Sequence, residues 1–339
     1  MEWKDRVVEA LRRLNPAEPP EDDCYIARND PTTGPGWDLP ERLEPMLLEG
    51  HRFRALMVGT VGVGKTTELS RWERLRPAGR RVVRLTLPAH AISTDEPKIL
   101  QSIAIGLRLT MGDLGATNVP WGTIDAATAK ENILLLVDGL DLLSPEDAAQ
   151  VFGPNTGLVD PRLPPVVFTA PVGLLALPAN VSRDARFEEV WHLPPVRVYD
   201  RKRSVNGAAI GRMVQGLQTR VEALVPGPLL HHVALGSGGV PRHAVRILRG
   251  ALMAAWSDGA LTADHIWQGT RLVRKDLEQG LSKEDLHVLW NTGDTGSYRG
   301  GSRLLTASAV LPYEDPDRYW LPHPLLWEAI QHGHAEWRR

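Results

Sequence analysis

The residues able to do chemistry begin at Gly59. Gly59-Thr60-Val61-Gly62-Val63-Gly64-Lys65-Thr66 fits the spacing G-x-x-x-x-G-K-[ST]. Glycines at those places let a loop curl so that consecutive backbone N–H groups face one anion, and a helix opening there turns its positive end to the same point. Lys65 is then expected to reach the β- and γ-phosphates of a nucleotide, and the Thr66 hydroxyl to ligate Mg²⁺. The competing reading is a glycine-rich turn with a chance lysine. The apolar Leu56-Met57-Val58 before the loop and the helix-compatible residues 66–75 after it speak against that.

A second acidic element follows. Ile133-Leu134-Leu135-Leu136-Val137-Asp138 is an apolar strand ending in a carboxylate, so Asp138 is expected to hold the Mg²⁺ shell at the carboxyl edge of a sheet. Mg²⁺ keeps several waters and takes one or two protein carboxylates, so one aspartate suffices. Asp141, three residues on, either positions an attacking water or caps the next helix. Thr169 closes another apolar run, where a satisfied strand-end threonine is the plain reading.

These residues need elements to carry them. Five short aliphatic runs, at 55–58, 82–87, 133–137, 166–169 and 189–193, read as buried parallel strands. Helical stretches at 66–75, 96–109 and 145–151 alternate with them, which predicts an α/β parallel sheet with helices on both faces. Beyond residue 200 the strand signals stop and helices are expected, broken at Gly236-Ser237-Gly238-Gly239 and resuming at 262–278. A smaller unit closes the chain: a helix at 282–291, another near 301–308, then a hairpin about Glu314-Asp315-Pro316-Asp317. The expected domains are an N-terminal helix and linker (1–40), a phosphate-binding sheet core (41–199), a helical region (200–280) and a small helix-and-hairpin unit (281–339).

Composition limits the alternatives. With 39 Lys+Arg against 41 Asp+Glu over 339 residues, the net charge of -2 gives no global pull toward nucleic acid. The single cysteine, Cys24, forms no internal disulfide and builds no thiolate metal site, which fits a reducing cytoplasm. No run approaches the length of a membrane span, so no membrane partner is expected. His231, His232 and His323 make no metal motif and read as structural.

The loop 59–67, the run Leu134 to Asp141 and the later Gly238-Gly239-Val240-Pro241-Arg242 together resemble P-loop ATPases of the STAND and AAA+ (origin-recognition-like) groups, over roughly residues 37–255. The resemblance implies ATP/ADP and Mg²⁺ as cofactors, with Gly59, Thr60, Val61, Gly62, Val63, Gly64, Lys65, Thr66 and Thr67 around the phosphates. It implies that Pro241 matches a STAND turn against the nucleotide, or Arg242 an AAA+ sensor arginine, and that Thr169 stands where AAA+ proteins place a polar nucleotide sensor. It also implies that 41–199 is an ATPase core, 200–280 a helical lid and 281–339 a winged-helix-like domain. Gly139 departs from it, because many AAA+ ATPases place a glutamate directly after the strand-ending aspartate. Slow turnover is the expected consequence. Arg183 and Arg186 stand where AAA+ rings place an arginine that reaches a neighbouring subunit, implying a homo-oligomer; surface arginines are the alternative.

Two functions follow from the resemblance. One is an ATP-dependent switch acting on a separate effector or sensor protein, in a bacterial defence or signalling setting. The other is a DNA-binding initiator or transposition-type regulator, which the acidic hairpin tip disfavours. A third reading is a nucleotide-binding scaffold without turnover. Trp290, Trp320, Leu325 and Trp327 are expected as core and interface anchors rather than base-stacking platforms.

Overall fold

The computed structural model describes residues 2–15, 44–45, 47–48, 53–76, 79–87, 103, 133–153, 164–176, 187–315 and 317–337. The expected helix at 96–109, Cys24, Arg183 and Arg186 fall outside this set, Ile103 apart. The chain divides into two compact units. One comprises Asp38–Val61 and Lys65–Leu193; the other comprises Met1–Trp37, Gly62–Gly64 and Pro194–Arg339. The first described element, α1 (Trp3–Arg13), belongs to the second of these.

The sheet unit contains β1 (Arg54–Gly59), α2 (Lys65–Leu75), β2 (Arg81–Thr86), β3 (Ile133–Asp138), α3 (Pro145–Val151), β4 (Val166–Pro171) and β5 (Glu189–His192). Its strands are all parallel and lie in the order β2-β3-β4-β1-β5. All five expected strands form, each within a residue or two of its predicted bounds. Every residue of β3 and β4 is buried, as continuously aliphatic strands covered on both faces must be. On one face Leu56, Val58, Leu135, Val137 and Phe168 join Phe152 and Phe187 in an aromatic-centred core. The alternate residues Ala55, Met57, Leu134, Leu136 and Val167 are equally buried.

Helix α2 buries Lys65, Glu68, Leu69 and Trp72, the i, i+3, i+4, i+7 stripe of an amphipathic helix. Trp72 meets Trp191 of β5 edge-on at 6.0 Å, which locks the helix against the sheet next to the strand that feeds it. Helix α3 opens where Ser144 accepts a hydrogen bond from the N–H of Asp147 at 3.1 Å, with Pro145 in its first turn.

The helical unit, besides α1, contains α4 (Gly207–Val221), α5 (Gly227–Gly236), α6 (Pro241–Ala254), α7 (Ala263–Glu278), α8 (Lys283–Thr295), α9 (Ser302–Thr306), the antiparallel hairpin β6 (Val310–Asp315) and β7 (Asp317–Pro322), and α10 (Trp327–Trp337). Helix α1 docks through Val7, Ala10 and Leu14, and its last carbonyls, Leu11 and Leu14, accept from the Arg249 guanidinium at 2.6 and 3.4 Å. Helices α6 and α7 cross where Gly250 faces Gly269; a Cβ on Gly269 would run into the carbonyl of Ile247. The α7 start at Thr262 is a capping box closed by His265.

The hairpin lies where the sequence places it. Helix α10 is additional to the expected elements, and Trp290 stacks flat on its His334 at 3.7 Å. Trp320 packs on Tyr298 and Trp327 on Tyr199, so these tryptophans serve packing. Among the described residues, no helix is long and apolar enough to cross a membrane.

Candidate functional site

The loop after β1 carries two glycines at positive φ, Gly62 (81°) and Gly64 (112°), a conformation L side chains rarely adopt. It delivers Lys65 and Thr66 into the first turn of α2, with Thr67 next to them. Lys65 is buried, and its ammonium is fully engaged. It donates to the carbonyls of Gly59 (2.7 Å) and Thr60 (3.0 Å) and pairs with Asp141 Oδ2 at 2.9 Å. A Lys ammonium has three protons, and these are three acceptors. The Thr60 hydroxyl is buried in the same loop with no hydrogen-bond partner among the described residues.

Asp138 ends β3 beside β4, where the pairing Val137 to Phe168 puts Thr169 at the same level. The Thr66 hydroxyl is near enough to the Asp138 carboxylate to favour its charged form, so the two expected Mg²⁺ ligands are neighbours. Burial pushes the Asp138 carboxyl above its usual range. The nearby Thr66 hydroxyl opposes that shift, and the neighbouring Asp141 adds to it.

Gly139 has a physical reason for not being glutamate. Its φ is 103°, and a Cβ there would lie 2.7 Å from the backbone carbonyl of Leu87. Leu87 is fixed by its own N–H bond to the Asp138 carbonyl at 2.9 Å. The chain instead turns through a 3-10 turn, Leu140–Leu142, which swings Asp141 back toward the loop. The helix-cap alternative for Asp141 is corrected, since Ser144 caps α3 and Asp141 binds Lys65. Thr169 lies inside β4 rather than at its end. Its hydroxyl accepts the Gly139 N–H at 3.0 Å and faces Asp141 Oδ1 at 3.4 Å, tying the acidic turn to the sheet.

In the helical unit, Pro241 takes the first position of α6 and Arg242 the second. The Arg242 N–H donates to the carbonyl of Gly62 at 3.2 Å, and any Cβ on Gly62 would collide with the Arg242 side chain. Gly62 is therefore required twice, for its φ and for this close approach. The buried His323 ring meets that of His243. Two buried histidines separated by 80 positions leave no local signature.

The residues suit the groups they are expected to hold. The positive-φ loop, the orphan Thr60 hydroxyl and the buried Lys65 fit a polyphosphate, and the hard oxygen pair Thr66 and Asp138 fits Mg²⁺.

No protein-family model matches the chain, and no curated protein matches it. Among solved structures, the chain is similar to the ORC2 protein of Aeropyrum pernix in ADPNP-ADP complexes, at 15% identity, 89% of this chain, 93% of that chain and a TM-score of 0.48. It is similar to Cdc6p of Pyrobaculum aerophilum at 15% identity, 97% of this chain, 98% of that chain and a TM-score of 0.48. It is also similar to the ORC1 protein of Aeropyrum pernix in complex with DNA, at 18% identity, 88% and 90% coverage and a TM-score of 0.44.

Proposed function

We propose that the chain is a nucleotide-dependent switch that binds ATP with Mg²⁺ at residues 59–66, hydrolyses it slowly in a reducing cytoplasm, and acts through a separate partner protein. The observation that carries this is the convergence of Lys65, Thr66, Asp138 and Asp141 at the carboxyl ends of β1 and β3.

Each residue has a task there. The loop N–H groups and Lys65 bind the β- and γ-phosphates. Thr66 and Asp138 hold Mg²⁺, which supplies charge neutralisation across the phosphate oxygens when bound. Asp141 orients water and accepts its proton as the water oxygen bonds to the γ-phosphorus. The bond to the β–γ bridging oxygen breaks, ADP leaves with that oxygen, and the proton passes to the phosphate. Thr169 keeps the acidic turn in place, and Arg242, whose N–H is held against the Gly62 carbonyl, is assigned a nucleotide contact.

Slow turnover has a stated cause. Asp141 serves as base only after Lys65 releases it, and Lys65 leaves it only for phosphate. Arg183 and Arg186 are proposed to supply charge to a neighbouring copy, so specific activity rises with protein concentration.

Phosphate release from ATP by the purified, nucleotide-stripped chain tests the reading, with Lys65→Ala as comparison. Release by the wild type and none by Lys65→Ala is expected. Equal release by both, or none by either at any protein concentration, contradicts hydrolysis at this site.

A further inference from the structure

The turn that delivers Arg242 is gripped from two sides by groups outside any nucleotide-binding motif. It runs Ser237-Gly238-Gly239-Val240, with φ of 61° at Gly238 and 77° at Gly239. On one side, the N–H of Val196 donates to the Gly239 carbonyl at 2.9 Å, and a Cβ on Gly239 would strike the Val196 backbone. On the other, the Tyr313 hydroxyl of β6 donates to the Gly238 carbonyl at 2.6 Å. A Cβ on Gly238 would meet Leu311 at 2.6 Å and Pro324 at 2.9 Å, so the hairpin packs directly on the turn. Tyr313 stacks on Tyr319 at 5.5 Å, and Tyr319 donates in turn to the Tyr199 carbonyl at 2.7 Å.

A second link follows Arg242 immediately. His243 Nδ1 lies 3.0 Å from His323 Nε2, and both rings are buried. The Leu325 N–H donates to His323 Nδ1 at 3.3 Å, so that nitrogen carries no proton. The neutral ring therefore holds its proton on Nε2, which faces His243 Nδ1, with the Ser237 backbone as a second hydrogen-bond partner of the ring. The Leu325 N–H thus assigns the tautomer of His323.

We propose that Tyr313 and His323 are positioning residues for Arg242: the carboxyl-terminal hairpin fixes the turn before Arg242 through Gly238 and the residue after it through His243. This deepens the nucleotide reading above and rests on it. The first turn of α6 cannot rotate or slide without breaking one of these two links, and the Arg242 side chain moves with that turn. A hairpin used in this way commits its aromatic face to the protein backbone.

The test uses the full chain, nucleotide-stripped. Tyr313→Phe keeps the stacked ring and deletes only the hydroxyl; His323→Leu removes the donor, and His323→Gln restores an amide that can donate. Two readouts are taken, amide hydrogen exchange at residues 238–243 without nucleotide, and ATP affinity in wild-type and Arg242→Ala backgrounds. Tyr313→Phe and His323→Leu are expected to speed exchange and weaken ATP binding by about three- to tenfold, with His323→Gln recovering most of it. In the Arg242→Ala background the same changes are expected to weaken binding no further. Unchanged exchange at 238–243, or losses that add fully to that of Arg242→Ala, overturns the positioning role. Faster exchange combined with a silent Arg242→Ala instead overturns the nucleotide role of Arg242, and the two failures are told apart by the exchange data.

Discussion

Lys65 has its three protons committed to Gly59, Thr60 and Asp141, so a phosphate must displace at least one of them. Removing the charge of Asp141 weakens one of those holds. Asp141→Asn is therefore expected to bind ATP at least as tightly as the wild type while hydrolysing it about a hundredfold more slowly or worse. Equilibrium titration with single-turnover phosphate release separates the two effects; equal hydrolysis by variant and wild type removes Asp141 from the mechanism. That Lys65, Thr66 and Asp138 lie together was legible because they belong to contiguous stretches, a loop and a strand end. The contact of Asp141 with Lys65 was not. That depended on a backbone carbonyl, of Leu87, which leaves no room for a side chain at position 139 and forces the acid three residues onward. Gly139→Glu is accordingly expected to damage folding rather than to restore a faster ATPase, and a lowered melting temperature without gain in turnover is the predicted result.

At the scale of elements, the start of α6 depends on a neutral histidine pair. Burial is the main reason that the His243 imidazole is held down to about 4, with Arg246 and Arg242 on its own helix adding to it and Asp276 of α7 opposing. His323 is held well below its usual value, again chiefly by burial and then by His243. Both rings bind protons more readily unfolded than folded. Their stabilisation is therefore complete above about pH 6.5 and is lost as pH falls toward 4, at about 1.4 kcal/mol per pH unit for each ring that must charge. Melting temperatures from pH 7.5 to 5 are expected to fall more steeply for the wild type than for His243→Gln; parallel slopes would contradict this account. Strands and most helices were readable from aliphatic runs and periodicity, since both faces of the sheet are buried and the helices are amphipathic. The histidine pair and the Tyr313 bond join residues 75 or more positions apart, and no local pattern records them.

For the whole molecule, several arginines of the carboxyl-terminal hairpin region are ion-paired, and Arg201 and Arg203 lie over the Tyr319 and Trp327 rings. Arg303 pairs with Asp285, Arg318 with Glu314 and Arg197 with Asp315, while Arg299 remains exposed. Helix α9, which precedes the hairpin, has five residues, a little over one turn. A surface of this kind neutralises few phosphates. Duplex binding measured by fluorescence anisotropy is expected to be weak, with a log–log salt slope no steeper than about −2, and a slope of −5 or beyond would restore the DNA-binding reading.

The claim on which all of this rests is that one Mg²⁺·ATP occupies residues 59–66. Calorimetric titration of the nucleotide-stripped chain tests it most directly. One site per chain is predicted, with affinity at least about tenfold weaker in Lys65→Ala once a melting curve shows that variant folded. No saturable heat in the wild type, or the same affinity in both proteins, would contradict it.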